Sequence, residues 1–330
     1  MFAILLCIVI PIILTTCSWF EVILTGVYCC DYYTVSTNQI DVLWLAIVWF
    51  CWMWLAKPLY GSEIWGSENL EHVEVFYRKF IRKILRVYRF TPNAMLYGET
   101  GTSKLEVTVY YNMINFWCRL FTNSHNKLSF IMYKLLLQMH EDDSSTFTSL
   151  WILKIKSILN NCGMSYVWLN QDTINTKNCN NLKHNLKTTL YDSFVQNWKS
   201  EIHNNTACII YRIFKDEHNL ELYLSSLEPR YRVYLCKFRC RSHNLPCNKD
   251  RFNISDPDDL CCEICNTRGD EFHYIFVCPK FVNERRKYLP KYYTTRPNIL
   301  KMNELFKSRK IKVLRNLSIY CKCIMDNFKQ

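Results

Sequence analysis

The chain has 330 residues, of which 18 are Cys and only 7 are Gly, and its formal net charge is +12. This length is sufficient for a buried core, and a hydrophobic fraction of 49% excludes an intrinsically disordered protein. The sequence contains neither G-x-G-x-x-G nor G-x-x-x-x-G-K-[ST], which excludes the usual glycine-rich cradles for nucleotide phosphates. The shortage of glycine also argues against propellers and jelly rolls and favours a mainly α-helical fold.

Charge divides the chain at residue 57. The leader, residues 1–56, contains no Lys or Arg, so all 41 basic residues lie in 57–330. Its uncharged stretches are 1–20, just long enough to cross a bilayer, and 42–56, which is short for a span. Two interpretations stay open. The leader forms one or two transmembrane helices with the basic part in the cytoplasm, or it is fused flanking sequence on a protein of the cytoplasm or nucleus.

A basic amphipathic helix is predicted to begin after Ser67 and to end at Thr91-Pro92. Apolar residues at steps of three and four predict its buried face, which consists of Leu70, Val73, Phe76, Phe80, Ile84 and Val87. Cations on the rest of the helix are predicted to contact nucleic-acid phosphates, namely Arg78, Lys79, Arg82, Lys83 and Arg86. A solvated face of a helical bundle explains the same charges equally well.

Periodicity predicts further helices along the chain. They are expected at 105–121, 127–139, 149–160 and 228–241, and around Leu186, Leu190, Phe194, Trp198 and Ile202. The Asn-rich segment 170–181 is expected to be a loop.

The most specific pattern in the chain is Cys262-x2-Cys265-x7-His273-x4-Cys278. Three thiolates and one imidazole form a closed tetrahedral set, which predicts a structural Zn²⁺ without an open position for catalysis. Asp270 and Glu271 are expected either to support these ligands or to start a helix.

The other cysteines lack such spacing. They are expected to be reduced and to pack as small hydrophobic residues. His243 is expected at the surface.

The segment 279–330 is strongly basic, with 14 Lys or Arg against 3 Asp or Glu, and aromatic residues are interleaved with the cations. Cations for phosphates and rings for bases are typical of RNA- or DNA-binding segments, and Arg285, Arg286 and Lys287 are the predicted contacts. Amphipathic helices that pack their rings inward are the alternative interpretation, and both can hold together.

Three sequence blocks stand out from residue 57 onward. The first block is PLYGSEIWGSENLEHVEVFYRKFIRKIL, and the second is TPNAMLYGETG followed by MINFWCRL. The third is YRVYLCKFRCRSHNLP running into DLCCEICNTRGDEFHYIFVCP. Over about 270 of the 330 residues, these blocks resemble the C-terminal third of LINE-type (non-LTR) retrotransposon reverse transcriptases, and the four predicted ligands match the family's CCHC knuckle.

The resemblance implies a leader (1–56), a helical thumb-like region (57–205), a connector (206–260) and a CCHC zinc knuckle with a basic helical tail (261–330). The family's palm motif, F/Y-x-D-D, is missing, since the only near match, Glu141-Asp142-Asp143, has no aromatic residue before it.

The resemblance therefore predicts a truncated polymerase that lacks catalysis and a small-molecule substrate but retains zinc-dependent binding of RNA or DNA. A two-span membrane protein with a cytoplasmic zinc domain is the main alternative, and a host-recruited RNA-binding adaptor is a weaker one.

Overall fold

The computed structural model describes residues 59–68, 70–122, 128–141, 148–171, 174, 176–248 and 260–328. The leader, with the two stretches expected to enter a membrane, lies outside these ranges. The chain divides into two compact units, Met1–Tyr60 and Gly61–Gln330, and the boundaries expected at 205 and 260 both fall inside the second unit. Within the described ranges no helix combines the length and the apolarity that a bilayer span needs.

The second unit is built from α-helices joined mostly by short turns. In chain order they are α1 (Ser62–Trp65), α2 (Leu70–Leu85), α3 (Asn93–Thr100), α4 (Leu105–Thr122), α5 (Leu128–Glu141), α6 (Leu150–Asn161), α7 (Ser165–Leu169), α8 (Thr176–Asn204), α9 (Tyr211–Phe214), α10 (Leu222–Ser226), α11 (Pro229–Arg239), α12 (Val282–Tyr288), α13 (Lys291–Thr294), α14 (Ile299–Phe306) and α15 (Ile311–Asp326). The described residues contain no β-strand, only the isolated bridges Thr100–Leu220 and Cys261–Arg268. The predicted mainly α-helical fold is therefore confirmed for the part of the chain described.

Local signals place the ends of several helices. The helices α4, α5, α6 and α11 begin and end within about two residues of the predicted bounds. Ser149 precedes α6 and its hydroxyl accepts a hydrogen bond from the amide of Ile152 (3.4 Å). Pro229 occupies the first turn of α11. Amides in the first turn of a helix have no intrahelical acceptor, so a proline there costs no hydrogen bond.

Two predicted boundaries are wrong. The helix α2 ends at Leu85, well before Pro92, because Arg86 adopts a left-handed backbone with φ of 54°. The helix α8 begins at Thr176, inside the predicted loop. Although asparagine disfavours helices, burial of Cys179 and Leu182 along this first part of α8 outweighs that preference.

The buried side of α2 is rotated from the predicted apolar face, since Phe80 is buried but the other five expected residues are only half-buried. The inward side instead carries Glu74, Tyr77, Ile81 and Leu85. Glu74 can lie there because its carboxylate accepts hydrogen bonds from the Tyr97 hydroxyl and from the amide of Leu105 at the start of α4 (2.8 Å). A buried carboxylate with two donors rotates the helix away from its most apolar side.

The helix α3 forms the centre of the unit and buries every residue from Ala94 to Glu99. The indole of Trp198 in α8 donates to the carbonyl of Ala94 (2.8 Å). A Cβ at Gly98 would stand 2.5 Å from the Tyr211 hydroxyl and 2.9 Å from the Trp198 ring. Glycine at 98 therefore allows α8 and α9 to approach α3 closely.

A network of charges lies inside the unit, around the guanidinium of Arg239 on α11. Its Nη2 lies 3.0 Å from Glu99 Oε1 and 3.0 Å from Glu221 Oε2, while Nη1 donates to the carbonyl of Phe306 at the end of α14 (3.3 Å). The Lys215 ammonium binds the second oxygen of Glu221 (2.5 Å). Two cations thus balance two carboxylates, as a buried ionic cluster requires.

Substituting Arg239→Met should lower the free energy of unfolding by about 3–5 kcal/mol, because the buried carboxylate of Glu99 would lose its counter-charge. Urea unfolding followed by circular dichroism measures the effect. The control is Arg230→Met, since Arg230 pairs with Glu228 in solvent (side-chain exposures of 63% and 52%) and should cost no more than about 1 kcal/mol. Equal effects of the two substitutions would contradict a dominant role for the buried network.

Candidate metal centre

A tight turn brings the first two predicted ligands together. The segments on either side of it pair through two hydrogen bonds, from Cys262 N to Thr267 O (2.8 Å) and from Gly269 N to Leu260 O (2.9 Å). The chain reverses at Asn266, a residue type that tolerates the left-handed φ of 49° found there. The amide of Cys265 bonds back to the carbonyl of Cys262 (3.2 Å) and closes the turn.

All four predicted ligands converge. The ligand atoms of Cys262, Cys265, His273 and Cys278 lie within 4.8 Å of one another, and the Cys262 and Cys278 sulfurs are 3.8 Å apart. Burial acts to raise the pKa of Cys262, but hydrogen bonds from the amides of Ile264 and Cys265 help to lower it to about 6. The group can therefore hold a metal ion.

His273 presents an unsatisfied nitrogen to this group. Its Nδ1 lies 3.3 Å from the Thr267 hydroxyl, whereas its Nε2 is buried and has no hydrogen-bond partner in the described structure. An orphaned imidazole nitrogen among three sulfurs is what a missing cation would leave, so the donor set fits a thiophilic metal. Asp270 orients the segment, because its carboxylate accepts from the amide of His273 (2.8 Å), as predicted for a helix start.

The fourth ligand is carried by a π-helical turn, His273–Val277, that ends at Cys278. Arg285, predicted as a phosphate contact, is instead buried beneath this turn with 7% of its surface exposed. Its guanidinium donates to the carbonyls of Ile275 (2.7 Å) and Cys278 (2.8 Å). Since a helical turn leaves its last carbonyls unpaired, Arg285 satisfies them and fixes the position of Cys278.

A second polar cluster joins the metal centre to α11. Glu271, two residues before the histidine ligand, lies 3.1 Å from Arg241 Nε and 3.1 Å from His243 Nε2. Burial acts to raise the pKa of Glu271, but His243 and Arg241 lower it to about 2. The prediction of a surface position for His243 is therefore wrong, because its imidazole is enclosed and paired with Glu271.

The remaining cysteines agree with the simpler expectation. Every described cysteine is a free thiol, and each is buried or half-buried. Cys321 and Cys240 are fully enclosed. Burial raises the pKa of Cys321 well above its ordinary value, and a hydrogen bond with the Cys236 side chain, together with burial, does the same for Cys240. They pack as small apolar side chains.

The cations predicted on α2 divide into two groups. Arg78 pairs with Glu71 (2.6 Å), and Arg82 donates to the Thr91 carbonyl (3.1 Å) and to the Asn93 side chain (2.7 Å), so both act within the fold. The exposed members of the set are Lys79, Lys83 and Arg86 on α2 or directly after it, and Arg286 and Lys287 on α12.

Most of the near match to a palm motif lies outside the described residues. Glu141 is the last residue of α5, and Asp142 and Asp143 lie outside the described ranges. Over those ranges, the Cys/His set is the only group of three or more Cys, His, Asp or Glu residues with the geometry of a metal site.

No family model, curated protein or solved structure matches the chain. The interpretation of the site therefore depends on its own geometry and chemistry.

Substituting Arg285→Gln should lower the free energy of unfolding by about 1–3 kcal/mol, because the carbonyls of Ile275 and Cys278 each lose a charged hydrogen-bond donor. The neighbouring Arg286 is exposed, so Arg286→Gln should stay within about 0.5 kcal/mol of the parent. Thermal unfolding of the metal-loaded protein compares the pair. Indistinguishable melting temperatures for the two variants would show that Arg285 does not support the turn.

Proposed function

We propose that this protein is a zinc-stabilised nucleic-acid-binding module of the kind that follows the palm of LINE-type reverse transcriptases. In this proposal residues 57–205 correspond to the thumb, and residues 261–330 to the CCHC knuckle and its basic tail. The observation that carries it is the convergence of Cys262, Cys265, His273 and Cys278 on one point. The module binds RNA or DNA and does not itself catalyse polymerisation.

The chemistry of the donors supports zinc. Sulfur and imidazole ligands in a tetrahedral set of four favour Zn²⁺ over the harder Mg²⁺ and Ca²⁺, which take oxygen ligands. Three thiolates and one imidazole together fill the four tetrahedral positions and leave none for a substrate. The ion would therefore hold the segment 260–278 in shape and contribute to folding, without taking part in a reaction.

The exposed cations support a nucleic-acid ligand. Lys79 and Lys83 stand one turn apart on α2, so their ammonium groups emerge from the same face, and Arg86 follows them. These side chains are exposed, unlike Arg78 and Arg82. A row of cations at this spacing suits successive phosphates of a nucleic-acid backbone.

The positions of the sequence blocks also support the proposal. TPNAMLYGETG supplies α3, the most buried helix of the unit, and YRVYLCKFRC supplies α11 with Arg239. The DEFHYIFVCP string supplies two metal ligands and the capping residue Asp270. The blocks that carry the resemblance are thus the blocks on which folding and the metal centre depend.

Zinc binding should be lost in Cys278→Ser, since a hydroxyl replaces one of three thiolates in the set. The full chain purified with zinc should carry about one ion. The chelator concentration that removes this ion should be at least about tenfold lower for the variant than for the parent chain. Metal content by mass spectrometry and thiolate-to-metal absorption with Co²⁺ give the readout.

The control for this substitution is Cys323→Ser, because Cys323 is a half-buried free thiol of α15 outside the group. It should keep its zinc. If Cys278→Ser retained the ion as tightly as Cys323→Ser, the four-ligand site would be refuted.

The association constant K for nucleic acid should fall as the salt concentration rises. The double variant Lys79→Gln/Lys83→Gln should make the slope of log K against log[salt] shallower by up to about 2, because two phosphate contacts are lost. The matched control is Lys156→Gln/Lys199→Gln, which removes the same charge from exposed positions on α6 and α8. Fluorescence anisotropy with single-stranded RNA measures both slopes. Identical slopes for the two pairs would exclude α2 as the phosphate-binding face.

A further inference from the structure

An open groove of about 420 Å³ lies between α7 and α8, away from the metal ligands. Its floor is apolar and includes the buried side chains of Met164, Cys179 and Leu182. Four asparagines line it as well, namely Asn170, Asn178, Asn181 and Asn185. Among the described residues, no charged side chain lines the groove, so its lining suits a neutral ligand with hydrogen-bonding edges.

Two of these asparagines are placed to act together. Asn181 and Asn185 are four residues apart on α8, so their side chains leave the same face of the helix, and both are exposed. Asparagine disfavours a helix interior, so neither residue is explained by helix formation. Each amide offers a carbonyl acceptor beside an NH₂ donor, which is the complement of the paired donor and acceptor on the edge of a nucleobase.

Aromatic and basic side chains complete the surroundings. Tyr166 of α7 lines the groove and has 62% of its surface exposed, so its ring is open to a stacking partner. Lys177 and His184 are exposed on α8, one turn before and one turn after Asn181. Each is next in sequence to a residue that lines the groove, Asn178 or Asn185, and basic side chains at such positions suit the phosphates on either side of a bound base.

We propose that this groove binds one unpaired nucleobase, stacked on Tyr166 and hydrogen-bonded by Asn181 and Asn185. A base within a duplex is stacked and paired and cannot enter, so the groove selects single strands. This inference rests on the proposed function only for its class of ligand. It adds a site for the base itself, whereas the exposed cations of α2 meet phosphates.

The test uses ligands that carry no phosphate. The zinc-loaded full chain is titrated with adenosine, guanosine, cytidine and uridine by saturation-transfer NMR, and at least one should bind saturably. Asn181→Ala/Asn185→Ala and Tyr166→Ala should each weaken that nucleoside at least about tenfold, the loss expected for one good base contact. Asn197→Ala, also exposed on α8 but outside the groove, should leave binding unchanged.

Alanine favours helices more than asparagine does, so the double variant is expected to keep its helical circular dichroism. The inference is overturned if no nucleoside binds, if the double variant binds as tightly as the parent, or if an extended glycine-rich peptide binds the groove in place of the nucleosides. Failure of the proposed function is separable, since it would remove the salt-dependent binding through α2 while nucleoside binding in the groove persisted.

Discussion

The arrangement of the unit depends on one buried guanidinium. Arg239 on α11 joins Glu99 of α3, Glu221 ahead of α10 and the carbonyl of Phe306 at the end of α14. Burial of carboxylates without a partner would cost several kcal/mol, so these segments, distant in sequence, are stable only when they meet. An apolar core could pack in several registers. A guanidinium carries its donors in fixed directions, so only a few helix arrangements provide acceptors for all of them. The network therefore selects this packing of α3 against α11.

The position of α11 in turn determines where the metal centre lies. Beyond the helix end, Arg241 and His243 reach Glu271, which stands two residues before the histidine ligand. On the opposite side the Tyr320 hydroxyl of α15 donates to the carbonyl of Tyr274 (3.0 Å), beside the same ligand. The candidate ligand segment is thus held by the residues that follow α11 and by α15, so a metal bound there would depend on the packing of the bundle.

The sequence predicted the convergence of these four side chains because that convergence is local. A turn of four residues brings Cys262 and Cys265 together, and a short helical segment separates His273 from Cys278. Periodicity likewise predicted helices such as α4 and α6. It failed for the buried side of α2, since Glu74 is held there by donors from α3 and the start of α4 that periodicity within one helix does not reveal. Arg285 was predicted as a nucleic-acid contact from the basic composition of the tail, and composition does not reveal that its guanidinium donates to the carbonyls of Ile275 and Cys278.

The chemistry of the basic side chains explains which of them are buried and which are exposed. The buried cations include Arg239, Arg241 and Arg285, whose planar guanidinium groups bond several oxygens at once, whereas Lys79 and Lys83 stay exposed. Lys215 is a buried lysine, and its ammonium uses its donors on Glu221 and on the carbonyl and side chain of Asn219. A cationic side chain is therefore buried where protein oxygen atoms accept hydrogen bonds from its N–H donors. The planar guanidinium of arginine reaches several such oxygens more readily than the ammonium of lysine does. The formal net charge of +12 therefore overstates how many cations are accessible to the phosphates of a nucleic acid. On α2, the exposed lysines are better candidates for phosphate contacts than the neighbouring arginines Arg78 and Arg82.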